Sequence, residues 1–168
     1  MVAGMTGSLV QISVSRGGVP KRAIPEGEVN ALGIVGDRHA CPQVHGGPQR
    51  ALLVMTAEGI DELIGQGFPL FAGALGENIT TRGIDRCWMR AGQRYRVGEI
   101  LIELTRLREP CLQLNPYGRG IQGAVYDADV KAGNFKSPRW GLGGFYAAVL
   151  RAGTIRTGDP VELLEEMA

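Results

Sequence analysis

Glycine is the residue that most limits how this chain can fold. Twenty-six of the 168 residues are glycine, about twice the usual share of roughly 7%, and they stand singly between short apolar runs. Such spacing interrupts long helices and favours tight turns, so the sequence predicts many short strands. Roughly eight strand candidates with turn signals between them indicate a mainly β domain, a barrel or a sandwich with few short helices.

Length and composition predict one globular domain that comprises residues 1–168. The hydrophobic share is 44% and the charged share is 21%, which suit a single core with a polar surface. The formal net charge is +1 and the aromatic share is 6%, so we expect no nucleic-acid partner. Because no secretion signal and no run of about 18 apolar residues occurs, we expect a cytoplasmic protein with no membrane partner. An odd number of cysteines, three, favours reduced thiols over disulfides.

Two segments carry clear strand signals. Residues 8–14 alternate, with Val10, Ile12 and Val14 apolar, as a half-buried strand does. Residues 51–55 form a continuous apolar run, which is typical of a strand buried on both faces. Further strand candidates are residues 23–29, 33–37, 75–81, 145–150 and 161–164.

A helix and a hairpin complete the pattern. Residues 57–64 predict the clearest helix, with Thr56 as its cap and Gly65 at its end. Residues 94–105 predict a hairpin that turns near residues 97–99 and buries Ile100, Ile102 and Leu104 on one face. Residues 115–139 form a long excursion that holds a possible short helix at 124–130.

Cys111 is the candidate for a reactive group. It follows Pro110, which restrains the backbone, and Arg106 and Arg108 lie nearby in sequence. Either guanidinium could lower the pKa of the thiol and favour the metal-binding thiolate, and a soft sulfur ligand suits molybdenum. The alternative is a small buried hydrophobic residue, which is the more common role of a lone cysteine.

One loop holds both histidines of the chain, His39 and His45, together with Cys41. The spacing His-x-Cys-x-x-x-His is not a usual zinc spacing and Pro42 interrupts it, so structural zinc is disfavoured. His39 is better suited to hydrogen-bonding a ligand oxygen or moving a proton. Equally, it could simply tie down the loop.

Two polar segments are candidates for ligand binding. Arg50 follows the pair Gly46 and Gly47, and its guanidinium could grip a phosphate or carboxylate with help from glycine N–H groups, or it could be a surface arginine. Glu77 and Asn78 could hold ligand polar groups, although satisfying buried backbone at a bent strand is the safer interpretation.

Two other residues are expected to pack. Cys87 stands next to Trp88 and is expected to pack rather than react. Trp140 precedes the glycine-rich residues 141–144 and could border a flat ligand, although a packing aromatic is commoner.

Five motifs follow one another along the chain: Gly-Asp-Arg-His at 36–39, Gly-Gly-Pro-Gln-Arg-Ala at 46–51, Leu-Gly-Glu-Asn-Ile-Thr-Thr at 75–81, the glycine-bounded segment 92–98, and Arg-Glu-Pro-Cys at 108–111. In order and spacing they resemble the MOSC domain family, named after the C-terminal domain of molybdenum cofactor sulfurase. Residues 144–150 and 153–159 resemble the end of the small stand-alone bacterial members. The resemblance covers nearly the whole chain.

The resemblance implies a single MOSC domain, a closed or partly closed β-barrel of the pyruvate-kinase-barrel-like type. It implies a site for the molybdenum cofactor, molybdopterin, with Cys111 as the residue that ligates molybdenum or carries a persulfide, and no requirement for pyridoxal phosphate. His39 matches a motif position and is predicted to be catalytic. The residues predicted to bind the cofactor are Arg50, Gly46, Gly47, Glu77, Asn78 and Arg108.

Two functions remain open from the sequence. The first is a molybdenum-dependent reductase of N-hydroxylated compounds such as hydroxylaminopurines, which would take a small-molecule substrate and electrons from a partner reductase. The second is a non-catalytic carrier of the cofactor, or of sulfur as a Cys111 persulfide. A plain barrel binding module would be favoured only if neither molybdenum nor sulfur attaches.

Overall fold

Short strands separated by glycine turns dominate the computed structural model, which describes residues 4–39 and 46–165. The described residues form eleven strands: β1 (Thr6–Val14), β2 (Arg22–Ile24), β3 (Glu26–Asn30), β4 (Gly33–Ile34), β5 (Leu52–Thr56), β6 (Ile79–Arg82), β7 (Arg94–Val97), β8 (Ile100–Leu107), β9 (Phe145–Arg151), β10 (Gly153–Arg156) and β11 (Pro160–Glu165). They also form three α-helices: α1 (Ala57–Gly65), α2 (Ile121–Val125) and α3 (Ala128–Lys131). Short 3-10 helices cover Pro48–Arg50, Arg86–Trp88 and Leu112–Tyr117.

Seven strands close into a barrel in the order β11, β7, β8, β9, β5, β6, β1, with β1 pairing back to β11. The pairing of β5 with β6 is parallel and the other barrel pairings are antiparallel. β2 extends the sheet from β1, and β10, β3 and β4 form a separate sheet of three strands. Closure pairs both edges of the sheet, and it confirms the predicted mainly β fold.

The hairpin predicted at 94–105 and the helix predicted at 57–64 are both present in the structure. β7 and β8 pair with Val97 opposite Ile100, and Ile100, Ile102 and Leu104 are buried. The Thr56 hydroxyl accepts the Gly59 N–H at 3.1 Å and caps α1. The helix includes Gly65, however, and the left-handed residue beyond it is Gly67 with φ 101°.

β1 differs from the predicted alternation because it contains a β-bulge. The register against β6 shifts between Leu9 and Gln11, and the fully buried residues of β1 are Leu9, Ile12 and Ser13. A bulge inserts one residue and changes which side chains face inward. Val10 is therefore only half-buried, and a strict period of two fails at this strand.

Two further predicted elements, the strand at 75–81 and the helix at 124–130, are interrupted by turns in the structure. Of the strand predicted at 75–81, only the part from Ile79 is a strand, because residues 73–76 form a turn. The helix expected at 124–130 is two helices: α2 ends before Tyr126, and α3 begins after Asp127. No helix in residues 4–39 or 46–165 is both long enough and apolar enough to span a membrane.

Two apolar clusters lie on opposite faces of the barrel wall. Leu52 and Val54 of β5 belong to the cluster that fills the barrel, whereas Met55 belongs to a second cluster with residues of α1 and α2. On β9, Phe145 and Ala147 face the barrel interior. Because strand side chains alternate, Leu53 and Tyr146 face outward, toward the loops that hold most of the predicted site residues.

Candidate functional site

A cavity on the outer wall of the barrel brings many of the predicted residues together. It is open to solvent on one side and lies over the outward-facing side chains Leu53, Asn78 and Tyr146. Loops complete the wall, and its remaining lining residues are Gly18, Val19, Lys21, Arg38, His39, Arg50, Leu75, Gly76, Arg108, Cys111, Gln113 and Leu114. The segments that supply them are far apart in sequence, so only the closed barrel assembles this site.

Five predicted site residues line this cavity: His39, Arg50, Asn78, Arg108 and Cys111. The other three predicted residues, Gly46, Gly47 and Glu77, do not belong to the described lining. Each of these three residues has a structural role near the cavity, which explains why a glycine or a glutamate stands there.

Gly46 supports the imidazole of His39. It has φ 96°, and a Cβ added there would lie 2.8 Å from His39 Cδ2. Gly47 also has positive φ, at 84°, but is exposed with open space around it. Glycine is therefore required at 46 for a close side-chain approach and at 47 for the left-handed turn. Cys41 and His45 lie outside the described residues.

Glu77 is completely buried beneath the cavity wall. Its Oε1 accepts the N–H of Gly73, while Oε2 has no hydrogen-bond partner among the described residues. Burial raises the pKa of this carboxyl above its ordinary value of 4.5, against the lowering effects of backbone N–H groups and Arg108. Glu77 thus ties the turn at residues 73–76, which places Leu75 and Gly76 in the wall.

Asn78, directly before β6, joins strands β5 and β1 and the loop that holds Asp37. Its Oδ1 accepts the N–H of Leu53 at 3.1 Å, and its Nδ2 donates to Ser13 O at 3.2 Å and to Asp37 Oδ2 at 2.8 Å. Satisfying buried backbone was the safer interpretation of this residue, and these bonds agree with it. Asn78 also reaches the cavity.

A buried ion pair beside Asn78 was not singled out from the sequence. Lys21 Nζ lies 2.6 Å from both carboxylate oxygens of Asp37, and both side chains are almost wholly buried. Asp37 also accepts the Ser15 N–H at 2.9 Å. Lys21 lines the cavity, and nothing in its sequence surroundings distinguishes it from a surface lysine.

His39 lies beside this ion pair. Burial and the Lys21 ammonium lower the pKa of His39 below its ordinary value of 6.5, and Asp37 opposes them. The neutral imidazole, with one donor and one acceptor nitrogen, is therefore favoured at neutral pH.

Arg108 is a buried arginine whose bonds are mainly structural. Its Nε donates to Gly143 O at 3.0 Å and its NH2 to Leu75 O at 2.9 Å. Arg106, the other arginine near Cys111 in sequence, forms an exposed ion pair with Glu109 at 3.1 Å.

Arg50 and Tyr146 form the opposite wall. The Arg50 guanidinium carbon lies 5.4 Å from the centre of the Tyr146 ring, a cation–π contact that fixes the arginine at the cavity. Burial raises the pKa of Tyr146 above its ordinary value of 10, so its phenol keeps its proton. The sequence showed Tyr146 only as part of an apolar run.

Cys111 precedes the 3-10 helix Leu112–Tyr117 as its capping residue and is a free, half-buried cysteine. Its carbonyl accepts the Leu114 N–H at 3.2 Å, while its side chain lines the cavity. Within residues 4–39 and 46–165, no three histidine, cysteine or acidic side chains converge as a metal site. Of the described cysteines, only Cys111 lines the cavity.

The remaining two candidates lie elsewhere. Trp140 packs at 6.2 Å from the Phe145 ring centre and donates from Nε1 to Met89 O, so it is a core residue. Cys87 was expected to pack, but it is exposed, because the 3-10 helix Arg86–Trp88 buries Arg86 in its place.

Comparison with known proteins identifies the family. Residues 42–162 match the model of the MOSC domain. YiiM of Escherichia coli K12 is 30% identical over 141 residues, which are 82% of this chain and 58% of YiiM. A protein of Gibberella moniliformis named reductase is 29% identical over 144 residues, 81% of this chain and 23% of that protein.

The chain thus spans little more than half of YiiM and less than a quarter of the reductase. Among solved structures, YiiM of Geobacillus stearothermophilus superposes with a TM-score of 0.69 at 25% identity, covering 95% of this chain and 75% of that one. The fold, the motif order and the family match agree. The chain belongs to the MOSC domain family.

Proposed function

We propose that this protein binds the pterin-based molybdenum cofactor in the outer-wall cavity, with Cys111 as protein ligand, and reduces N-hydroxylated compounds. The MOSC domain family is associated with molybdenum cofactor binding, and one similar protein is named a reductase. The observation that carries the proposal is that a cysteine thiol shares one cavity with a histidine and four cationic side chains.

The chemistry of the cavity fits such a cofactor. The single sulfur ligand suits a metal that arrives with further ligands on its own cofactor. Arg38 and Arg50 match a phosphate-bearing anion, whereas Asp37 compensates the charge of Lys21.

Each residue then has a role. A bound cofactor would supply the two electrons. The balanced reduction adds two electrons and two protons to R–NH–OH, breaks the N–O bond and releases R–NH2 and water. Arg50, held against Tyr146, binds the phosphate, and Cys111 binds the metal as thiolate. The neutral His39 donates a hydrogen bond to the departing hydroxyl oxygen.

The test compares two free cysteines of the same chain. Wild type, Cys111→Ser and Cys87→Ser are purified from a host that makes the cofactor, and molybdenum is measured by elemental analysis. We expect molybdenum and viologen-driven reduction of a hydroxylamine in wild type and in Cys87→Ser, and neither in Cys111→Ser. Equal molybdenum content in Cys111→Ser and wild type would reject Cys111 as the ligand.

The same samples test the carrier function. Cys111 is half-buried at the cavity, so its sulfur is accessible to a sulfur donor. Intact mass spectrometry that shows one added sulfur atom on Cys111, together with no reduction of a hydroxylamine, would favour a sulfur carrier over the reductase.

A further inference from the structure

Three arginines around the cavity mouth have no carboxylate partner in the part of the chain that the structure describes. Seven other arginines each lie within 4.0 Å of a carboxylate, whereas Arg90, Arg119 and Arg151 have no such partner among the described side chains; the seven are Arg82, Arg86, Arg94, Arg96, Arg106, Arg139 and Arg156. Arg16, Arg22 and Arg38 are exposed, and none has a carboxylate partner among the described side chains. The chain as a whole has a net charge of only +1, and these three arginines give the cavity mouth a local positive charge.

Local geometry places these three arginines at the mouth. Arg38 lines the cavity, and its N–H donates to Ser15 O, which brings it next to Arg16. Arg22 follows the cavity residue Lys21, and its guanidinium carbon lies 5.9 Å from the Phe71 ring centre. Arg16 and Arg22 are exposed and are not among the residues that line the cavity.

Exposed apolar side chains accompany the charges. Leu112 is 75% exposed, and both of its chain neighbours line the cavity. Phe71 is 43% exposed and packs edge-on against Tyr117 with ring centres 6.5 Å apart. Arginine and aromatic residues are enriched in protein interfaces, and apolar side chains form their centres.

We propose that Arg16, Arg22, Arg38, Phe71 and Leu112, here called the cationic rim, dock a small acidic electron-carrier protein. This inference rests on the proposed reductase function, because reduction of R–NH–OH to R–NH2 and water consumes two electrons that a donor must deliver. The carrier is the occupant that the charges favour, since an acidic surface complements unpaired arginines. Leu112 follows the proposed metal ligand, so the docked carrier would lie beside it.

The first experiment measures binding and does not depend on turnover. The probe is an acidic flavodoxin, titrated calorimetrically into the full chain at low and moderate salt. We expect the Kd to rise about tenfold or more with salt, and to rise about tenfold or more at low salt in Arg16→Glu/Arg22→Glu. Arg38 is left unchanged because it lines the cavity.

A matched control has the same change in net charge elsewhere. Lys131→Glu/Lys136→Glu reverses two exposed lysines that flank the half-exposed Phe135, in a segment that supplies no cavity residue. We expect this variant to keep the wild-type Kd within about twofold. Equal loss in both variants, no change in either, or no salt-dependent binding of flavodoxin would overturn the docking proposal.

Two further readouts separate the alternatives. A short single-stranded RNA that binds more tightly than flavodoxin and loses binding in Arg16→Glu/Arg22→Glu would overturn the proposal in favour of a nucleic-acid surface. In turnover, the double variant should slow flavodoxin-driven reduction about tenfold more than reduction driven by methyl viologen, a small cation. No turnover with either donor, with binding intact, would reject the reductase function and leave the docking surface standing.

Discussion

The buried pair of Lys21 and Asp37 gives the sharpest test of how the cavity is held together. Asp37→Asn removes the negative charge and puts an amide where a carboxylate accepts from Lys21, Ser15 and Asn78. The side chains of Lys21 and Asp37 are only 6% and 4% exposed. The substitution therefore leaves an ammonium group in a buried position with no counter-charge from Asp37.

The expected cost follows from this burial. Breaking a buried ion pair by removing one partner costs about 3 to 5 kcal/mol, because the remaining charge stays desolvated. For a chain of this size each kcal/mol lowers Tm by about 2 to 4 °C, so we expect a fall of about 6 to 20 °C. Lys21→Met combined with Asp37→Asn removes the unpaired charge, so the double variant should be more stable than Asp37→Asn alone.

The assay is urea unfolding followed by circular dichroism, with Glu26→Gln as the matched control. Glu26 pairs with Arg156 at 2.9 Å, but both side chains are more than half exposed. Removing this surface pair should cost less than about 1 kcal/mol. The reasoning is refuted if Asp37→Asn costs no more than Glu26→Gln, or if the double variant is less stable than the single one.

Three further predictions concern the same region. Burial raises the pKa of Glu77, so the free energy of unfolding of the wild type should fall as pH rises above 4.5 through the raised pKa. Urea midpoints measured against pH should lack this fall in Glu77→Gln, and the same fall in both proteins would contradict the assignment. The pKa of His39 is lowered, so wild type loses stability as pH falls below 6.5 through the lowered value, and titration of His39→Asn should lack that component. Gly73→Ala places a Cβ 2.2 Å from Lys21 O at φ 94°, so it should lower the free energy of unfolding in urea by more than about 2 kcal/mol. Gly123→Ala in α2, with open space around it, should be neutral or stabilising. Equal costs in the two variants would contradict the geometry.

Local signals predicted the elements that depend on local chemistry. The Thr56 cap and the apolar spacing after it predicted α1, and the apolar run at 51–55 predicted the buried strand β5. The alternation predicted for residues 8–14 failed because the bulge in β1 depends on its pairing with the partner strand β6. The split between α2 and α3 was missed because Asp127, which caps α3 by accepting the Val130 N–H, begins a new helix there.

The site shows the same division. Motif order pointed to Cys111, His39, Arg50, Asn78 and Arg108, and all five line the cavity. No motif signal separated Glu77 from these residues, although its carboxyl is buried behind the cavity wall. Lys21 and Tyr146 were missed because an isolated lysine and a tyrosine in an apolar run carry no distinguishing local signal.

By itself, the sequence determined the family, the mainly β class and the residue types available for chemistry, because turn residues, apolar periodicity and motif spacing are written along the chain. Only the tertiary structure decided which side of the barrel wall each residue occupies. Barrel closure and strand pairing bring β5, β6 and β9 side by side and turn Leu53, Asn78 and Tyr146 outward. Contacts between residues distant in sequence depend on this pairing, and no local pattern encodes them.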